Sequence, residues 1–222
     1  MLLLLLLVCC LLHGPAQCPQ PQGKDPFGLP ENASGDQNVQ FLNRTGLFRA
    51  YFRGSERDMG REWKAFIWPR IRDANFDFTL EVAPGAGRNT ARLRPLVRRL
   101  IGVDLDTFAI ARCKKRFADD PRLQFFVNDG KNLPMVPSAA VTFIYSWDAM
   151  VHFHPKVLWS YVQEFARVLA PSGTGFIHHS NLGSQPEYKY SSHINNNPHW
   201  RSNMSCAVFR SYLETVGLEV RS

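Results

Sequence analysis

Thr79-Leu80-Glu81-Val82-Ala83-Pro84-Gly85-Ala86-Gly87-Arg88-Asn89-Thr90 runs from an apolar strand, through a Gly-rich turn, into the start of an amphipathic helix. A backbone of this shape turns free N–H groups and a positive helix end toward whatever lies over the turn. Gly85 and Gly87 let the chain approach a ligand more closely than a side chain would permit. Glu81, at the end of the strand, can hold cationic or hydroxyl groups of that ligand.

The same alternation continues downstream. Phe78 to Ala83 reads as a first strand and Arg88 to Leu100 as a helix, with Leu93, Leu96, Val97 and Leu100 at helical spacing. Ile101 to Asp104 is a second buried strand, Thr107 to Phe117 a helix, Leu123 to Val127 a third strand and Val141 to Tyr145 a fourth. Pro155 to Leu169 is a helix with Pro155 suited to its first turn. Pro171-Ser172-Gly173 reads as a turn before a fifth strand at Gly175 to Ile177. Ser205 can cap a last helix that Gly217 ends, and Leu218-Glu219-Val220 opens a sixth strand. Apolar strands alternating with amphipathic helices predict an α/β fold, a Rossmann-like three-layer sandwich around a mostly parallel sheet. Ligands of such sheets bind beyond the carboxyl ends of the strands. Those ends carry Glu81, Asp104, Asp129, Asp148 and the pair His178 and His179.

At 222 residues the chain is long enough for one α/β domain, and its 45% apolar and 20% charged content is that of a globular protein. The net charge of +7 permits an anionic partner. The basic residues fall on helical patterns, as at Arg112, Lys114, Lys115 and Arg116, which solvated helix faces explain better than a nucleic-acid patch.

The amino terminus is unusual. Leu2 to Leu12 is an unbroken apolar run, too short for a typical bilayer-spanning helix but fitting the core of a secretory signal. Gly14 and Ala16 are small where a signal peptidase inspects the chain, so residues 1–16 read as a signal peptide cleaved after Ala16. That would place the protein in the secretory pathway or a lumen. No Lys or Arg precedes the run, and a short surface anchor or a misassigned start codon are the alternatives, the latter leaving the protein in the cytoplasm. Residues 17–40, rich in Pro, Gln, Gly and Asn, read as a linker or disordered arm. Residues 41–222 form the domain, with an aromatic-rich helical cap over 41–75, helical around Glu62 to Ile71. Asn32, Asn43 and Asn203 head glycosylation triplets that chance alone produces often. No cysteine shows metal-ligand spacing.

Two cofactor classes suit the opening turn. A dinucleotide turn wants a third small residue where this chain has Thr90, and Glu81 would sit beside a pyrophosphate, so an NAD-binding oxidoreductase is disfavoured. A cofactor with no phosphate and a positive centre fits better. Glu81-Val82-Ala83-Pro84-Gly85-Ala86-Gly87 resembles the acid-x-Gly-x-Gly-x-Gly signature of class I S-adenosylmethionine-dependent methyltransferases of the type 11/25 kind. Ala83 replaces the first glycine. The resemblance continues in register through Gly102-Val103-Asp104, Asn128-Asp129-Gly130-Lys131-Asn132-Leu133-Pro134 and Arg167-Val168-Leu169-Ala170-Pro171-Ser172-Gly173, and covers about 63–222.

The resemblance implies that Glu81, Ala83 and the Gly85 and Gly87 backbone hold the amino-acid end of S-adenosylmethionine. It implies that Asp104 takes the ribose hydroxyls, that Asp129 and Gly130 meet the adenine, and that Ser146 to Asp148 lie beside the sulfonium and acceptor. It also implies an antiparallel seventh strand, which the sequence up to Ser222 does not supply.

An alcohol acceptor benefits from a base, and His152, His154, His178, His179 and Asp148 are the candidates. Strand alternation puts His178 and His179 on opposite faces, so only one can face the substrate. Ser146-Trp147-Asp148 to His152-Phe153, His178-His179-Ser180-Asn181 and Asn197-Pro198-His199 together resemble bacterial methyltransferases associated with surface polysaccharides. A small polar or glycan acceptor, a sugar hydroxyl among them, follows from that resemblance. No Asn/Asp-Pro-Pro-aromatic signature follows the fourth strand, which disfavours N-methylation of bases in nucleic acid.

Overall fold

The structure is a computed structural model that describes residues 4–9, 48–185 and 201–221. The linker at 17–40, the glycosylation triplets at Asn32 and Asn43, and Asn197-Pro198-His199 lie outside the described residues. The strands are β1 (Leu4–Cys9), β2 (Phe78–Val82), β3 (Arg99–Asp104), β4 (Leu123–Val127), β5 (Val141–Ser146), β6 (Leu169–His178) and β7 (Leu218–Arg221). They form one sheet in the order β4-β3-β2-β5-β6-β1-β7, and every recorded pairing is parallel.

Strand alternation sorts side chains onto two faces. Leu80, Ile101, Ile144 and Ile177 point to one, where they pack with Leu158 and Phe165 of α5 (Pro155–Val168) and Phe209 and Leu213 of α6 (Cys206–Thr215). Leu100, Phe143, Tyr145 and Phe176 point to the other. That face is covered by α1 (Phe48–Glu62), a π-helical turn (Trp63–Ile67), α2 (Trp68–Ile71), α3 (Arg88–Leu93) and α4 (Thr107–Arg116). The three-layer sandwich expected from the sequence is the architecture found.

Local chemistry sets the helix limits. Asp106 caps α4 by accepting from the Phe108 N–H at 2.8 Å, and Ser205 caps α6 by accepting from Val208 at 3.2 Å. Gly217, at φ +79°, ends the latter turn. The helix expected over Arg88 to Leu100 stops at Leu93. Pro95 has no N–H to continue the ladder, and the chain is already in strand β3 at Arg99. Strand β6 begins earlier than expected, at Leu169, and absorbs the Pro171-Ser172-Gly173 stretch that reads as a turn; Ser172 holds φ +65° there.

The aromatic-rich cap segment is divided between core and surface. Ile67 and Ile71 are buried, while Phe66 and Trp68 remain 38% and 37% exposed. No helix among the described residues is long and apolar enough to cross a membrane.

No antiparallel strand occurs among the described residues. The place between β6 and β7 is instead held by β1, part of the apolar run. It pairs Leu5 to Cys9 with Thr174 to His178 on one side, and Leu4 to Leu7 with Leu218 to Arg221 on the other. Removing residues 1–12 uncouples β7 from the sheet and strips both neighbours of hydrogen bonds. The expected outcome is a loss on the order of 5 kcal/mol of unfolding free energy, read from urea denaturation of the full and shortened chains.

Candidate functional site

The site is built on the face that carries α3 and α4. Glu81, at the end of β2, is buried and receives the Thr90 hydroxyl at 2.6 Å on Oε2. Its Oε1 is buried with no hydrogen-bond partner. Burial pushes the carboxyl up to about 7, against the Thr90 hydrogen bond. Asp104, at the end of β3, accepts from the Gly85 N–H at 3.3 Å and from the Asp106 N–H at 3.0 Å. Burial raises it to about 6 although these N–H groups pull the other way.

The turn between β2 and α3 is held in left-handed backbone at Ala83 (φ +58°), Gly85 (φ +57°) and Gly87 (φ +81°). A Cβ on Gly87 would meet the Phe117 ring at 2.6 Å, so the close approach of α4 and the backbone both require glycine. Ala83 meets the same backbone demand with a methyl group in place, at a cost of about 1 kcal/mol. Under the turn lies Cys113, a buried free thiol that donates to the Gly85 carbonyl at 3.3 Å and that burial holds well above the ordinary thiol range.

These features fit the aminoacyl and ribose end of S-adenosylmethionine. An orphaned carboxylate oxygen that burial keeps partly protonated is a place for an ammonium, which would restore its charge. Asp104 stands at the neighbouring strand end, where ribose hydroxyls can reach a carboxylate.

Other expected positions are engaged within the fold itself. Asp129 closes its own turn, accepting from the Lys131 N–H at 2.9 Å and the Asn132 N–H at 2.7 Å, with the Asn132 side chain beside it. Burial acts to raise its carboxyl, but these donors outweigh it and the net shift is downward. Next to it Gly130 is buried at φ +78°, and Asn128 Oδ1 is a buried oxygen with no partner. Ser146 is fully buried and donates to the Val82 carbonyl at 3.1 Å, tying β5 to β2.

On the acceptor side, Asp148 holds φ +55° just beyond β5. Its carboxylate meets Arg88 at 3.0 Å and Arg201 at 3.4 Å. Burial works to raise its pKa, yet Arg201 and Arg88 prevail and keep it below the ordinary range, so it is ionised at neutral pH. His178 accepts the Asp148 N–H on Nδ1 at 3.2 Å and stacks on Trp147 with ring centres 4.4 Å apart. Burial pulls it down to about 4, despite the Asp148 charge. A backbone N–H can only donate, so neutral His178 carries its proton on Nε2 and presents a donor.

His179 points to the other face. It packs on Phe209 at 4.3 Å with Nδ1 against the Ser180 carbonyl, and burial also takes it to about 4. His152 is buried close enough to Asp148 to act on its charge. The structure thus brings His178 and Asp148 into contact, leaves His152 linked to Asp148 only through its charge, and sets His179 apart.

Arg88 and Glu62 were missed by sequence reasoning. The Trp147 indole donates to Glu62 Oε2 at 3.0 Å, and Arg88 Nη1 lies 3.8 Å from the same oxygen. Arg88 follows the second glycine of the turn, and a cation so close to a ligand-bearing loop was the available signal.

Residues 79–173 match a family described as "Methyltransferase domain". Ribosomal RNA small subunit methyltransferase A of Synechococcus sp. (strain JA-2-3B'a(2-13)) is 35% identical over 66 residues, a stretch that covers 30% of this chain and 23% of that protein's length. Among solved structures, the YcgJ protein of Bacillus subtilis superposes with a TM-score of 0.56 at 19% identity, over 72% of this chain and 67% of the other. A chain from the complex of the Haloferax volcanii Trm112 methyltransferase activator with a candidate methyltransferase gives 0.59 at 18% identity, over 86% and 80%. At these identities the structures establish the fold alone.

Two outcomes follow from the turn. Ala83→Gly is expected to raise unfolding free energy by about 1 kcal/mol, seen as a higher thermal midpoint. Glu81 titrates higher in the fold than in the open chain, so its contribution to stability is complete below about pH 4.5 and lost as pH rises through about 7. Binding of S-adenosylhomocysteine near pH 6.5 should therefore release a proton of about half to one equivalent, measured by calorimetry in buffers of different ionisation enthalpy. Glu81→Gln abolishes the release.

Proposed function

We propose that residues 79–173, which match a methyltransferase domain, act as a class I domain that uses S-adenosylmethionine and transfers its methyl group to an oxygen of a small polar acceptor, with a sugar hydroxyl as the acceptor class we favour. The observation that carries the cofactor half of this reading is the unpartnered Glu81 oxygen beside the Gly85 to Gly87 turn. When bound, the cofactor supplies a methyl group already activated by its sulfonium. The chain's own task is to orient the acceptor and exclude water.

Asp148 is ionised and can accept a hydroxyl hydrogen, while His178 Nε2–H can donate to an oxygen. A donor and an acceptor side by side suit an alcohol. Because Nδ1 of His178 accepts the Asp148 N–H and its proton sits on Nε2, we assign His178 to orient the acceptor oxygen, and Asp148 to accept the hydroxyl hydrogen when that hydroxyl displaces the weaker of its two arginine contacts, Arg201 at 3.4 Å. His179, on the α6 face, has a structural part in this reading.

A second reading, methylation of nucleic acid, draws support from the similarity to a ribosomal RNA methyltransferase and from the +7 net charge. It predicts binding that weakens steeply with salt. For location, we propose that residues 4–9 stay in the folded chain as β1 and are not lost with a cleaved signal.

Calorimetry with S-adenosylhomocysteine tests the cofactor. Asp104→Ala should weaken binding by about 30-fold, the worth of roughly 2 kcal/mol of charge-assisted hydrogen bonding. No binding by the wild type sinks the reading, whereas an unaffected variant removes only the ribose role. Transfer of radiolabelled methyl to a panel of sugars and to RNA then separates the two acceptor classes.

A further inference from the structure

A closed circuit of contacts runs around the acceptor side and reaches the cap helix. Glu62, the last residue of α1, accepts from Trp147 Nε1 at 3.0 Å. Trp147 stacks on His178, and His178 Nδ1 accepts from the Asp148 N–H. Asp148 Oδ2 meets Arg88 Nη2 at 3.0 Å, and Arg88 Nη1 returns to Glu62 Oε2 at 3.8 Å. Five residues from the cap helix, α3, the segment after β5 and the end of β6 complete the ring. Arg88 also donates to the Ser55 carbonyl of α1 at 3.3 Å, so the cap helix is bound at two points along its length.

Several features mark this ring as more than packing. Arg88 is nearly buried, with 9% of its side chain exposed, and its charge is answered from both sides by Glu62 and Asp148. Asp148 occupies left-handed backbone, which a residue with a Cβ adopts only when its surroundings enforce it. Helix α1 changes to a π-helical turn immediately after Glu62, a departure frequently found at functional sites.

Resting on the methyltransferase reading above, we propose that Glu62 and Arg88 are positioning residues of the acceptor site. Through Trp147 and Asp148 they fix the orientation and Nε2–H tautomer of His178, so that the site is competent only while helix α1 is docked. Neither residue touches the reacting atoms; each acts through its neighbours.

The test is nitrogen NMR of the histidine side chains in the full chain, with the His178 signal identified by its loss in His178→Gln. Wild type should show His178 in a single Nε2–H form. Glu62→Ala removes the anchor of Trp147 and should convert that signal to a mixture of both tautomers. S-adenosylhomocysteine affinity should stay within about threefold, since the ring lies on the acceptor side. Glu62→Gln keeps an oxygen for the indole and should restore the single form. Arg88→Lys, which keeps the charge but not the fork, should give the mixture and serves if Glu62→Ala does not fold. A single Nε2–H form in both folded variants overturns the proposal. Failure of the wild type to bind S-adenosylhomocysteine overturns the methyltransferase reading instead, and the tautomer measurement separates the two.

Discussion

A carboxyl group with one oxygen unanswered, buried where strand β2 meets its turn, is the constraint around which this domain is arranged. Water does not reach Glu81, Thr90 satisfies only one of its oxygens, and burial leaves the group close to neutrality. Such a group is costly, on the order of 3 kcal/mol by the distance between its ordinary and its buried titration. In the proposed reading the cofactor's ammonium answers that charge. The left-handed turn, Asp104 on the next strand and the thiol of Cys113 lie around it.

The division of the sheet into two faces explains why the chemistry gathers on one of them. On the α5 and α6 face the side chains are almost all aliphatic or aromatic, and His179 is absorbed there against Phe209. On the other face the strand ends turn polar. Tyr145 donates to Asn89 at 2.9 Å, Thr90 holds Glu81, and Trp147 and His178 extend the row. One residue of offset between His178 and His179 thus separates a group at the site from one in the core.

Much of this was legible from local pattern. The alternation of apolar strands with amphipathic helices pointed to the layers, the Ser205 and Gly217 signals bounded the last helix, and the opening turn marked where the cofactor is proposed to sit. Less legible were features decided by neighbours far away in sequence. Ser146 and Asp129 stand at the expected strand ends, yet the Val82 carbonyl and the Asn132 turn occupy their polar atoms. The strain at Ala83 could not be seen, because a methyl group looks harmless until the backbone is known to be left-handed. Glu62 and Arg88 are unremarkable charges until the fold carries the cap helix to the turn. The apolar amino-terminal run read as a signal because nothing in its composition distinguishes such a core from a buried strand; its pairing with β6 and β7 is a property of the gap between them.

Cys113 gives the turn a built-in sensor. It is the free thiol among the described residues, it lies directly beneath Gly85 and Gly87, and burial suppresses its thiolate. An alkylating reagent can therefore reach a reactive sulfur only when the turn lifts away from α4. The speed of that modification measures how often the loop breathes, and a ligand seated above it would slow the reaction without touching the cysteine. The glycines that let a ligand come close from above also leave a nucleophile one layer below, silent while the floor is shut.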